Sequence, residues 1–266
     1  MEDQSRLPLL SRLEHKEILA ITIRAASMIL ENGGETYRAE ETAVKTALSF
    51  GAVTATAFVT PTVVQVSYTD EDKRYHTAVQ RLTKRGVNLK KISQVNELSR
   101  RLAKRETVTK PGQVERILNR IDNTPQYPVW MIVGGASLSS FFFALMFGGI
   151  LVEAVTALCI GFILRISLLI LDKAHLNSFI ISLLSGAVVS ICTEAAYIFT
   201  LIPSIEIVMT SVLMQVVPGL AIVNAIRDMI AGDLVAGNAR LIEAFMIAAG
   251  LSVGAVTGML LFGGLL

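Results

Sequence analysis

Between Val216 and Phe245 the chain reads VVPGLAIVNAIRDMIAGDLVAGNARLIEAF, with long apolar runs on both sides. The stretch gathers a helix-breaking pair, Pro218 and Gly219, with Asn224, Arg227, Asp228, Asp233, Asn238, Arg240 and Glu243. Pro218 lacks an amide hydrogen and interrupts a helix. The helix that restarts after it would open with unpaired N–H groups and a positive dipole end, a seat for a carboxylate. Asn224 and Asp228 are four apart and share one helix face. Gln215 stands across the break, and Arg227 is placed to pair with an anionic ligand or with Asp228. Gly232, Gly237 and Asn238 are expected to form a turn into the last apolar run. Broken helices with this chemistry build binding sites in membrane transporters. The competing reading is a proline-kinked helix followed by an ordinary polar loop.

Other ionisable groups stand inside apolar runs. Glu194, in SICTEAAY, lies near Ser190, Thr193 and Tyr197, which are expected to hydrogen-bond it. A carboxylate at that depth is costly, so it reads as a proton carrier or a ligand-facing group, or else as a neutral structural Glu. Glu153 and Glu206 lie close to run ends and are expected to reach the interface. Arg165 is expected to extend its long stem to the headgroups. His15, His76 and His175 are scattered without ligand spacing, and Cys159 and Cys192 lie in apolar runs, so no metal site and no cofactor are expected. No Walker loop, GxGxxG, HExxH or GxSxG occurs, so no enzyme is expected.

The elements that must position these groups follow from composition. Of the 24 Lys and Arg, 20 lie in the first 127 residues, as do 15 of the 22 Asp and Glu, although the mean hydropathy of the whole is +0.57. The chain therefore reads as two objects. Residues 1–125 are expected to form a cytoplasmic α/β domain, and residues 126–266 a membrane domain with five spans. A span needs about 20 apolar residues. Candidates run over about 128–148, 150–171, 177–200, 205–226 and 241–261. The opening MEDQSRLPLLSRLEHKEI is charged and lacks a signal-peptide core. Lys and Arg favour the cytoplasmic side. The turns near Gly148–Gly149 and Leu201–Ser204 hold neither, whereas Lys173, Arg227 and Arg240 fall in the alternate loops. That places the N-terminus inside and the C-terminus outside. Gly250, Gly254 and Gly258 repeat every four residues, a small-residue stripe for close helix packing. It serves contacts within the chain or with another subunit equally well.

In the polar half, EHKEILAITIRAASMILE from Glu14 to Glu31 has helical apolar spacing, ended by Gly33-Gly34. A helix over about 35–50 follows. GAVTATAFVTPTVVQVSYTD reads as two strands around Pro61, with a third at about 74–80. Helices are expected over about 90–104 and 112–121. The basic series Arg100, Arg101, Lys104 and Arg105 reads as a solvated face near anionic lipid rather than a nucleic-acid site.

Two motifs in this order resemble the threonine/serine exporter family of bacterial inner-membrane proteins. One is VPGLAIVNAIRDMIAGDLVAGNARLIEA, with Pro218, Gly219, Asn224, Arg227, Asp228, Gly232, Asp233, Gly237 and Arg240. The other is AASMILENGGETYRAEETAVKTALSFGA, with Gly34, Glu35, Arg38 and Glu40 or Glu41. The resemblance covers about Ile18 to Gly258. It implies a subunit that exports small carboxylate metabolites, threonine and serine or a dicarboxylate such as succinate, from the inner membrane. The broken helix is expected to contact substrate through Pro218, Gly219, Asn224 and Arg227, and the carboxylates within the apolar half suggest a coupling proton on Asp228 or Glu194. Family members carry a second membrane module, so a separate small membrane protein is expected to supply it, and a homo-oligomer is a further expectation. A membrane-anchored sensor or enzyme, and a non-transporting scaffold, are the rival readings.

Overall fold

The computed structural model describes residues 15–84, 86–104, 111–125, 127–174, 176–199 and 201–263. Glu14, Arg105 and His175, named above, lie outside the described residues. The described residues are mostly helical and divide into two compact units. One comprises Met1–Pro125 with Leu220–Leu241; the other comprises Gln126–Gly219 with Ile242–Leu266. The expected membrane domain, 126–266, is thus divided, because residues 220–241 pack among residues of the polar half.

In the first unit, α1 (His15–Glu31) buries Ile18, Ile21, Ala25, Met28 and Ile29 at helical spacing. Gly33 ends it with φ +87°, a left-handed conformation that glycine adopts without strain. The Gly34 amide reaches back to the Ile29 carbonyl at 2.8 Å and the Gly33 amide to Leu30 at 3.0 Å. These two bonds form a Schellman C-cap. Helix α2 (Thr36–Ser49) packs on α1 through Ala39, Ala43 and Ala47, all fully buried. An antiparallel meander follows: β1 (Thr54–Thr60), β2 (Val63–Thr69) and β3 (Tyr75–Arg81), in that order across the sheet. Alternation along β2 turns Val64, Val66 and Tyr68 into the core. Helices α3 (Leu89–Lys104) and α4 (Pro111–Asp122) close the core with Ile92, Val95, Val114 and Leu118.

The second unit holds α5 (Val129–Met146), α6 (Leu151–Leu171), α7 (Ser178–Ile198) and α8 (Ile205–Leu213). Helix α9 (Gly219–Ile230) and α10 (Leu234–Gly263) complete the described chain, and α10 contributes residues to both units. Four helices among the described residues are long and apolar enough to cross a membrane: α5, α6, α7 and α10. The fourth of the five expected spans, 205–226, is instead two short helices, α8 and α9. The break runs over Met214–Pro218, since Pro218 disfavours helical backbone at the residue before it as well as at its own amide. Phe142, Phe162, Ile170, Phe245 and Leu260 on the long helices are exposed. An apolar exterior of this extent suits hydrocarbon rather than water.

The glycine stripe of α10 lies against α7. A methyl added at Gly254 would overlap the Leu183 carbonyl, and at Gly250 and Gly258 it would come within 2.8 Å of the Phe179 and Ala187 carbonyls. Of the two readings of the stripe, packing within the chain is the one observed. Glu153 does not reach the interface. It is buried, its Oε2 accepts the Ile150 amide at 2.9 Å, and its Oε1 accepts the Ser204 amide at 3.1 Å. It caps α6 and ties down the loop before α8.

Candidate functional site

The two motifs meet within the first unit. The turn after α1 and the opening of α2 supply Gly33, Gly34, Glu35 and Thr36; α9 and the first turns of α10 supply Asn224, Arg227, Asp228 and Arg240. Helix α9 presents Asn224, Ala225 and Asp228 on its buried face. Asp228 is fully buried. Its Oδ1 accepts the Thr36 amide at 3.0 Å and its Oδ2 accepts the Thr36 hydroxyl at 2.9 Å. Thr36 is the first residue of α2, whose N-cap Glu35 makes no capping bond with its own side chain. The Asp228 carboxylate therefore meets an otherwise uncapped helix start, where the macrodipole favours negative charge.

Arg240 completes the arrangement. Its Nε lies 3.1 Å from Asp228 Oδ2, an ion pair rather than an aligned hydrogen bond. Its terminal nitrogen donates to the Gly34 carbonyl at 2.7 Å. Asn224 Nδ2 donates to the Gly33 carbonyl at 2.8 Å. The two carbonyls freed by the left-handed turn after α1 are thus both taken by α9 and α10 side chains. Glu35, 6% exposed, is shared between Arg227 at 2.8 Å and Arg38 at 3.1 Å.

The turn between α9 and α10 is shorter than expected. Gly232, with φ +96°, makes the reversal, and α10 starts at Leu234, so Gly237, Asn238 and Arg240 are helical. Gly237 serves close approach instead: a methyl there would stand 2.9 Å from the Ala225 carbonyl and 3.1 Å from the Met229 amide. A second carboxylate seat, which the sequence did not announce, is present. The filled seat is the start of α2, and the carboxylate in it comes from α9.

Glu40 and Asp233 flank this cluster. Burial, then the neighbouring Asp233 and Asp228 charges, push the Glu40 carboxyl above the usual range, against the opposing bond from the Val59 amide at 3.1 Å. Burial and Asp228 push Asp233 up in the same way. A carboxyl with a raised folded-state pKa binds more protons folded than unfolded, between its two pKa values. Its contribution to stability therefore falls as pH rises through that window. Glu40→Gln keeps an acceptor for Val59 and removes the charge. It is expected to melt higher than the parent at pH 7, with the difference vanishing below the ordinary glutamate pKa of about 4.3. An unchanged difference across that range would show that charge is not the cause.

The second unit holds a separate polar knot. Gln215, in the α8–α9 break, donates through Nε2 to the Ser140 hydroxyl at 2.7 Å and to the Gly161 carbonyl at 3.2 Å. Gln215 Oε1 and Arg165 Nε are buried and have no hydrogen-bond partner among the described residues. Gly161 and Arg165 are one helical turn apart on α6. The expected partners of Glu194 are not in place. Thr193 bonds the Val189 carbonyl at 2.8 Å, the Ser190 hydroxyl is buried without a partner, and Tyr197 is exposed. Glu206 is exposed.

Sequence reasoning passed over Thr36, Ser140 and the histidines. The only local sign for Thr36 is its place after Glu35 at a helix start. His15 and His76, 61 positions apart, stack with ring centroids 3.7 Å apart, and both approach Asp70. Their scatter along the chain concealed this.

Comparison with known proteins agrees with the two motifs. The sequence model of the ThrE family, described as "Putative threonine/serine exporter", matches residues 20–262. A protein of Mycobacterium tuberculosis (strain ATCC 25618 / H37Rv) described as "Probable threonine/serine exporter" is 23% identical over 245 residues. That match covers 91% of this chain and 46% of the relative, so the chain spans about half the relative's length. No solved structure matches. With nearly its whole length matched, the chain belongs to the threonine/serine exporter family of membrane proteins.

Proposed function

We propose that this chain forms one half of an inner-membrane exporter of threonine, serine or closely similar amino acids. The observation that carries the reading is the polar knot in the second unit. Buried polar atoms in proteins almost always find partners. Here an amide oxygen, Gln215 Oε1 in the α8–α9 break, and a guanidinium nitrogen, Arg165 Nε on α6, lack them among the described residues. An amino acid offers the complementary pair, an ammonium for the amide oxygen and a carboxylate for the guanidinium. Arg165 then has a use beyond reaching the headgroups.

Asn224, Arg227 and Asp228 hold the turn after α1 and the start of α2, and the Pro218-Gly219 break gives α9 freedom to move with them. Protonation of Asp228 would cancel its pairing with Arg240 and weaken its hold on Thr36, which makes it the favoured carrier of a coupling proton. Glu194 is the second candidate. The lysine and arginine distribution supports a cytoplasmic N-terminus and an outward C-terminus, which requires a fifth crossing beside the four long helices. The relative's greater length supports a second membrane module taking part.

Everted vesicles test the reading. They would carry this chain with a candidate second-module protein and be offered labelled threonine, serine and succinate in turn. Threonine and serine uptake is expected, abolished by collapsing the proton gradient and reduced at least about tenfold by Arg165→Met or Gln215→Leu, the loss due to an unpaired buried polar partner. Uptake of succinate alone would reassign the substrate to dicarboxylates. Uptake unaffected by either substitution would remove the knot from the pathway. Absence of all uptake by folded protein would favour a sensor or a scaffold.

A further inference from the structure

We propose that His15, Asp70 and His76 form a binding site for a divalent transition metal of the zinc class, in the first unit and independent of the transport reading. Three elements bring the residues together. His15 is the first residue of α1. Asp70 follows β2, and His76 lies on β3 directly opposite Tyr68 in the β2–β3 ladder. The potential ligand atoms all lie within 4.8 Å of one another. His76 Nε2 is 2.9 Å and His15 Nε2 is 3.6 Å from the same oxygen, Asp70 Oδ2. Tetrahedral zinc with bonds of about 2.0–2.1 Å spaces its ligand atoms about 3.3 Å apart. The two observed distances bracket that value.

The hydrogen bonds around the cluster fix which atoms are free. The Tyr68 hydroxyl donates its single proton to the His15 carbonyl at 3.3 Å. The same oxygen lies 3.0 Å from His15 Nδ1, so with the hydroxyl proton on the carbonyl it accepts from Nδ1, and Nδ1 then carries the hydrogen. In the neutral ring this leaves a lone pair on Nε2, the atom that faces the Asp70 carboxylate. A lone pair facing a carboxylate oxygen calls for a cation between them. Tyr68 thereby plays the part of the outer partner that orients a metal-bound imidazole. Asp70 is anchored in the same fashion: its Oδ1 accepts the Arg74 amide at 2.8 Å, which leaves Oδ2 for the metal.

Access is graded across the cluster. The Asp70 side chain is 7% exposed, that of His76 is 21% and that of His15 is 35%. The carboxylate is thus fixed at the floor while the histidine side opens to solvent, where water can complete the coordination. The two rings lie nearly parallel, at 15°. A turn of the more exposed His15 ring lets the two Nε2 lone pairs converge on one ion. Two imidazoles and one carboxylate suit zinc, and also iron(II). A proton shared between His15 and Asp70 is the rival occupant, and the experiment separates the two.

The full chain, purified in detergent and stripped with a chelator, would be titrated with Co2+ and with Zn2+. The expected result is one equivalent bound per chain, with the visible absorption of a low-coordinate Co2+ site that Zn2+ displaces. Melting temperature should rise on Zn2+ addition. Asp70→Asn and His15→Gln should each weaken binding at least tenfold, while Asp72→Asn, an exposed neighbour, should not. His15→Gln serves if Asp70→Asn fails to fold, because its side chain is the most exposed of the three. Absence of stoichiometric binding, or binding unchanged in His15→Gln, would overturn the site and leave a proton-bridged cap on α1.

Discussion

Replacing Asp228 with alanine is expected to destabilise the first unit by about 3–5 kcal/mol, the cost of removing one partner of a buried ion pair. The loss has three parts in the geometry. The Thr36 amide and hydroxyl lose their acceptors at 3.0 and 2.9 Å, and Arg240, itself 9% exposed, loses the Asp228 counter-charge at 3.1 Å. The start of α2 is then an uncapped helix end with a buried cation beside it. Hydrogen exchange on the full chain is the direct measurement, because the Thr36 amide should lose protection first. The double variant Asp228→Leu with Arg240→Met should recover part of the loss, since replacing both partners removes the stranded charge. Exchange at Thr36 equal to the parent would show that Asp228 does not hold α2. A double variant no better than the single one would show that the loss is not due to a stranded Arg240.

Gly254→Ala is expected to have an effect of similar size in the second unit. The added methyl would occupy the place of the Leu183 backbone carbonyl, which cannot turn aside as a side chain can. Helices α7 and α10 must separate along the whole stripe, since Gly250 and Gly258 are held nearly as tightly. Gly134→Ala on α5 is the control. Nothing lies within 4 Å of a methyl there. In open space the exchange should favour helix by up to about 1 kcal/mol, through propensity alone. Melting of the two variants in the same detergent is the comparison. If Gly254→Ala melts with Gly134→Ala, α10 does not use its glycine face against α7.

How much of this was legible beforehand varied with the range of the interaction involved. Hydropathy alone located α5, α6 and α7 within about two residues, because each must satisfy its own backbone bonds, whereas α10 starts seven residues before the expected span, where the sequence is polar. Gly33-Gly34 and Pro218 announced a helix end and a helix break through their own backbone constraints. The strands followed from their Val and Thr content and from Pro61. What could not be read was the meeting of distant groups. Asp228 and Thr36 are 192 positions apart, and nothing local tells Asp228 that its partner is a helix start rather than a ligand. The same limit hid Gln215 beside Ser140, and His15 beside His76. Gly237 misled for the opposite reason: its glycine signalled a turn but serves tight packing on α9, and local sequence gives both roles the same residue.

Helix α10 has 30 residues and so runs about 45 Å at about 1.5 Å per residue. The hydrocarbon of an ordinary bilayer is only about 30 Å thick. Upright, α10 leaves some ten residues outside it, and the first two turns, with Asn238 and Arg240, are the polar end suited to that place. Acyl-chain length then decides how deep those turns sit. A thicker bilayer draws the Arg240–Asp228 pair toward oil, where an opened pair is far more costly than in the headgroup layer. Lipid thickness thus becomes a tuning variable for how firmly α2 is held.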